Sequence, residues 1–226
     1  MRDGSGLGWG AVFPEGSSKS ATYLRRADSA DSVADARVFE DALADGAFAL
    51  GGITMAVEVN AAERHVVVIT DVRPISVRKP VASGALFYLG TQGNTPRGVS
   101  FRLDDVKPVA KAWDPVSGKL GADFFRVQRI ALPPAGNGET LIMNFRASAA
   151  AYEFNVAFDY TVDGHQYTQY LTTENGKPRV FRATAPRCGM PGIKRPYTEL
   201  RAVDMSSNPP RYKPVSSSTF CSWQKP

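Results

Sequence analysis

The chain has 226 residues, 43% hydrophobic and 10% aromatic, which is enough apolar material for a sizeable core and excludes a disordered chain. No apolar run approaches the ~18 residues of a membrane-spanning helix. The formal charge of +5 is unevenly placed: residues 1–175 carry 17 Lys or Arg against 20 Asp or Glu, while residues 176–226 carry 10 against 2.

Residues 1–25 are rich in Gly and Ser and read as a flexible lead. Gly6, Gly8 and Ala11 imitate part of a dinucleotide-binding loop, but no strand precedes them and Pro14 follows, so the phosphate-binding context is missing. Residues 29–46 are the one helical candidate, with Val33, Ala36, Val38, Leu43 and Ala44 partly on a helical period and Gly46 as a stop.

From Phe48 onward the period changes to two. Ile53, Met55, Val57 and Val59 alternate with Thr54, Ala56 and Glu58. Residues 65–72, HVVVITDV, are β-branched almost throughout, and Pro74 is expected to end that strand. Further strands are expected over 85–89, 99–103, 124–132 and 141–145, separated by a turn-rich loop at 91–98 and a long loop at 105–122. The strongest signal is YEFNVAFDYTVDGHQYTQYL at 152–171. Phe154, Val156, Phe158, Tyr160 and Val162 alternate with polar or small residues, and Asp163-Gly164 suits a two-residue hairpin turn. Such a turn sets Val162 against His165, Tyr160 against Tyr167 and Phe158 against Gln169. A last strand is expected at 179–184.

About nine short strands with almost no helix predict an all-β fold, an antiparallel immunoglobulin-like β-sandwich. The expected organisation is a lead over 1–47, the sandwich over 48–185, and a Pro/Ser/Arg-rich basic tail over 186–226. The tail holds both cysteines. In an oxidising compartment Cys188 and Cys221 would close a loop of roughly 34 residues, worth about 3–4 kcal/mol on the chain-entropy model. In a reducing one they would be free thiols. The disulfide is the expectation, because the tail has little else to hold a shape. The tail's cations Arg187, Lys194, Arg195, Arg201, Arg211 and Lys213 are candidate contacts for a polyanion, with Tyr197, Tyr212, Phe220 and Trp223 interleaved as stacking surfaces.

No catalytic constellation is visible. The two histidines, His65 and His165, have no nucleophile-elbow motif to serve. Asp104 and Asp105 are adjacent and would point to opposite sides of a strand. Asp71, Asp159 and Asp163 lack calcium-loop spacing. No cofactor or metal site is expected, and the chain reads as a non-enzyme.

The segments ITDVRPISVRKP, GALFYLGTQG, VSFRLDDVKPVAKAWD and FDYTVDGHQYTQYLTTENGKPRVFRATA, within residues 50–185, carry a resemblance to a broad group of uncharacterised actinobacterial proteins. In that group a membrane-spanning helix precedes an extracytoplasmic β domain. The resemblance transfers no catalytic residue, and this chain departs from it by lacking that helix and by its cysteine-bearing tail. It implies an extracytoplasmic or cell-surface interaction or assembly domain whose partner is a protein or a surface polymer. The alternatives are a cytoplasmic location and a binder of nucleic acid or another polyanion through the tail.

Overall fold

The computed structural model describes residues 9–61, 64–90, 98–114, 119–134, 138–173, 175–188, 190–193 and 196–223. Fifteen strands in two sheets account for nearly half of them. The larger sheet holds β1 (Trp9–Val12), β2 (Phe48–Leu50), β4 (Val67–Lys79), β5 (Ala85–Gly90), β9 (Ile130–Leu132), β11 (Ala151–Val162), β12 (His165–Tyr170), β13 (Phe181–Thr184), β14 (Glu199–Asp204) and β15 (Arg211–Pro214). Their spatial order is β15-β14-β5-β1-β2-β13-β11-β4-β9, with β12 also paired to β11. The smaller sheet runs β3 (Gly52–Val59), β10 (Glu139–Arg146), β6 (Gly98–Arg102), β7 (Lys111–Trp113), β8 (Leu120–Asp123). The mostly-β expectation holds. The pairs β2/β13, β5/β14 and β6/β10 are parallel, so both sheets are mixed, not antiparallel throughout.

The two sheets meet face to face over half of the larger one. Ile53, Met55, Val99, Phe101, Met143 and Phe145 from the small sheet share one core with Ile69, Val72, Phe154, Val156, Phe158 and Phe181 from the large sheet. Aromatic contacts run straight across it: Phe101 stacks on Phe145 at 4.7 Å, Phe145 meets Phe154 at 4.9 Å, and Phe154 meets Phe181 at 5.6 Å. Period-two alternation on both sides is what lets these rings interdigitate. The opposite face of the small sheet also buries polar groups. Asn144 donates to the Thr54 hydroxyl at 2.6 Å and accepts from Ser100 at 3.3 Å, all three residues being almost fully enclosed.

The other half of the large sheet was not foreseen. β1 lies between β5 and β2 near the middle of that sheet, where the sequence suggested a flexible lead. Gly10 permits this close packing, since a Cβ there would stand 3.2 Å from Leu50 and Leu86 side-chain atoms. The single helix expected at 29–46 is replaced by α1 (Ser20–Ser29), α2 (Val33–Ala36) and α3 (Val38–Ala44). Tyr23, Ala27, Val38, Phe39 and Ala42 from α1 and α3 cover one face of β1 and β5 through Ala11, Phe13, Ala85 and Phe87. Alternate residues Val12, Leu86 and Tyr88 face the other way, onto Tyr197, Leu200 and the Phe220 ring of α5 (Ser217–Trp223).

Residues 186–226 are therefore no separate tail over their described length. β14 pairs with β5, β15 pairs with β14, and Phe220 and Tyr197 are fully buried. Sparse but well-placed apolar residues suffice here because each meets a core already built by β1 and β5. Cys188 and Cys221 form the expected disulfide, which ties α5 to the segment following β13. Two further strand expectations change. β4 continues through Pro74 to Lys79, because β9 covers only Val67, Val68 and Ile69 and the rest is a sheet edge that tolerates a missing N–H. Residues 124–127 form a helical turn, α4 (Phe124–Val127), instead of a strand, and the expected loop at 105–122 contains β7 and most of β8.

Candidate binding surface at the hairpin arm

The register of β11 and β12 is the one the sequence dictates: Val162 with His165, Tyr160 with Tyr167, Phe158 with Gln169. Asp163 and Gly164 adopt φ of 50° and 82°, the left-handed turn geometry that Asp-Gly accommodates. Outside the turn, His65 Nδ1 lies 2.8 Å from Asp163 Oδ2 and ties the tip to the start of β4.

β11 is buried along its first half, where β13 and β4 flank it. Its last four residues, Asp159–Val162, are half-buried, and with the whole of β12 they form a hairpin arm at the side of the sheet. Every residue of β12 is exposed, including Tyr167 at 49% and Tyr170 at 38%. The arm has two unlike faces. On one, Tyr160 and Tyr167 stack at 5.6 Å. At the base of that face the sheets part, leaving a cleft of about 390 Å³ walled by Val57, Val67, Ile69, Leu132, Phe158 and Leu171. That volume and apolar lining are of the kind that receives a ligand group or side chain. Polar groups, among them Glu58, Asn60, His65 and Gln169, also line the cleft.

The opposite face is ionic. Asp159 accepts from Arg73 Nε at 2.7 Å and Nη2 at 3.2 Å and from the Thr168 hydroxyl at 2.5 Å. The Arg73 hydrogen bond holds the Asp159 carboxyl below the usual carboxylate range. Asp71, opposite Asp159 on β4, moves the other way: burial pushes its carboxyl up, against the Val72 N–H bond it accepts. Two neighbouring carboxylates thus differ, but Asp159 is already saturated by donors, so the pair forms a structural brace.

Of the cations proposed as polyanion contacts, three of the four described ones are ion-paired within the fold. Arg201 is 12% exposed at its side chain and grips Asp28 of α1 in two-pronged fashion at 2.6 and 2.9 Å. Arg211 pairs with Asp31 at 3.3 Å and Lys213 with Asp204 at 3.0 Å. Arg187 has a buried Nε, and its backbone N–H donates to the Tyr197 hydroxyl. Lys194 and Arg195 lie outside the described residues, as does the loop at 91–98 except for Gly98. The C-terminal surplus of positive charge is thus partly matched by the acidic N-terminal helices it packs on. Asp104 is a cap and not half of an acid/base pair: it accepts from the backbone N–H of Ser148 and Ala149 and from the Tyr152 hydroxyl.

The candidate contacts read from the sequence lie in the C-terminal segment and not on the arm. The signal that marks it was present all the same: HQYTQY carries no Asp, Glu, Lys, Arg or Pro. No family model, curated protein or solved structure matches this chain.

Proposed function

We propose that this chain is a non-enzymatic interaction domain that binds a protein partner through the β11–β12 arm. One observation carries the reading: β12 is exposed at every position and lacks the charges and prolines by which soluble proteins usually blunt an open strand. The apolar cleft at the base of the arm supplies a pocket for a partner's side chain beside that edge. We also propose an extracytoplasmic setting, supported by the Cys188–Cys221 disulfide and by the resemblance in residues 50–185. The immunoglobulin-like kinship is retained as a proposal about the two-layer half alone. Polyanion binding has less support, since Arg201, Arg211 and Lys213 already face carboxylates.

The test is site-specific photo-crosslinking in the source cells, with a benzophenone amino acid at Tyr167 and, as control, at Val106, which is 99% exposed on a loop away from the arm. Covalent adducts from position 167 and none from 106 are expected. No adduct from 167, or equal adducts from both, overturns the reading.

A further inference from the structure

Building on the interaction-domain reading, we infer that the arm's occupant is a second copy of this chain. Two β12 strands pair antiparallel about a twofold axis at Thr168 and join the two large sheets into one continuous sheet.

The hairpin's parity fixes which backbone groups are available. Around a two-residue turn, Val162 and His165 form the first hydrogen-bonded pair, and bonded pairs then recur at every second residue. His165, Tyr167 and Gln169 therefore direct their N–H and C=O groups at β11. Gln166, Thr168 and Tyr170 direct theirs outward. Among the described residues β12 pairs with β11 alone, and no other backbone bond reaches those outward groups. An antiparallel copy centred on Thr168 sets Thr168 against itself and Gln166 against Tyr170 of the second copy. All three outward residues on each strand are then satisfied together, in about six N–H···O bonds.

Self-pairing is chemically permitted at this edge and opposed at the others. An isologous contact sets each residue near its own copy or near a close neighbour, so charges on the strand meet like charges. β15 carries Arg211 and Lys213, β8 carries Asp123, β3 carries Glu58, and the open stretch of β4 carries Arg73, Arg78, Lys79 and Pro74. β9 has three residues only. Leaving aside three-residue β9, β12 is the one of these margins without a fixed charge. On one face the β-branched Thr168 side chains would meet at the axis, and on the other Tyr167 would meet Gln169 of the second copy, extending the Tyr160–Tyr167 stack. The nearest acidic group, Asp159, would lie three strand spacings from its copy, about 14 Å, and Arg73 neutralises it.

A six-residue strand contact is far smaller than a standard interface of ~1,600 Å², so the dimer is weak and is to be sought at protein concentrations of about 10–1,000 µM. Sedimentation velocity of the purified, disulfide-intact chain across that range reads the association. Hydrogen exchange at low and high concentration reads the site. The expected result is concentration-dependent dimer, with added protection at the amides of Gln166, Thr168 and Tyr170 and none at Tyr167 or Gln169. Thr168→Lys places two cations at the axis and is expected to weaken association at least ~10-fold, whereas Thr168→Val retains it. Gln166→Lys is an independent second variant, and circular dichroism with thermal melting confirms that each variant folds. A monomer at every concentration overturns the inference. So does a dimer indifferent to both lysine variants and without protection at the outward amides. Crosslinking at position 167 to a different protein, with the purified chain monomeric, refutes the self-pairing while leaving the interaction-domain reading intact. Absence of any adduct refutes both.

Discussion

Replacing Phe220 by Ala separates a folded C-terminal segment from a tail. The Phe220 ring is fully buried, 4.9 Å from the Tyr88 ring and 5.8 Å from that of Tyr197. Its neighbours sit on β5 and on the chain leading into β14, and the disulfide at the adjacent Cys221 limits how far the site can collapse. Removing a buried Phe leaves both lost transfer energy and a residual cavity, typically ~3–5 kcal/mol. For a chain of this size that corresponds to a fall in Tm of about 10 °C, at ~2–4 °C per kcal/mol. The assay is urea unfolding followed by tryptophan fluorescence and far-UV circular dichroism, with Val106→Ala as the exposed control. Repeating it with reductant adds a second axis. Opening the disulfide alone should cost up to about 3–4 kcal/mol. Because Phe220 and Cys221 are adjacent on α5, the two losses should be less than additive. A Phe220→Ala cost below ~0.5 kcal/mol, the range of ordinary surface changes, would refute the integrated fold.

Asp71→Asn should stabilise the protein at neutral pH. Burial raises the folded-state pKa of Asp71 above its unfolded value, so the folded state holds this proton more tightly. That contribution is fully present below about pH 4, the unfolded value, and is lost as pH rises through the folded value. The difference between wild type and Asp71→Asn should therefore vanish in acid, as read by unfolding free energies from pH 3 to 8. Arg73→Gln should show the opposite profile. Asp159, held low by Arg73, contributes stability above its unfolded pKa that disappears as pH falls, so the variant's deficit should shrink in acid. Asn144→Ala should cost about 1–3 kcal/mol in urea unfolding, because it removes a hydrogen bond from each of the buried Ser100 and Thr54 hydroxyls and leaves a cavity between the strands.

Where sequence reading succeeded, period-two alternation and a decisive turn occurred together. In residues 152–171 both were present, and the register followed down to individual pairs. β1 had neither. It is four residues long, contains Gly10 and is soon followed by Pro14, and its place in the sheet depends on β2 and β5, which lie more than thirty residues away. α1 reads as polar because only Tyr23 and Ala27 of its ten residues are buried. β14 and β15 were obscured by charge. Glu199, Arg201, Asp204, Arg211 and Lys213 suggested a solvated tail, and the ion pairs with Asp28 and Asp31 that make these strands compatible with a folded surface join segments far apart in sequence. Pro74 misled in the other direction. Proline ends a strand bonded on both sides, but nothing local says that β9 stops at Ile69 and leaves an edge.

The exposure of β12 has a topological cause. β11 is twelve residues long, and one of its edges is shared end to end: β13 takes Ala151 to Phe154, and β12 takes Ala157 to Val162. Outside β13 the sheet continues into β2, which is three residues long and meets β13 only at Ala183 and Thr184. Among the described residues no strand of that layer pairs with the outer edge of β12. On the other edge, β4 accompanies β11 along its whole length, with one register shift between Asp159 and Tyr160, and braces the arm through the Arg73–Asp159 bond. The arm is thus rigid on one side and open on the other. A flexible loop would lose conformational entropy on docking, whereas a braced strand edge has already been ordered by folding. This preorganisation, more than any single side chain, is what fits the arm to add a further strand.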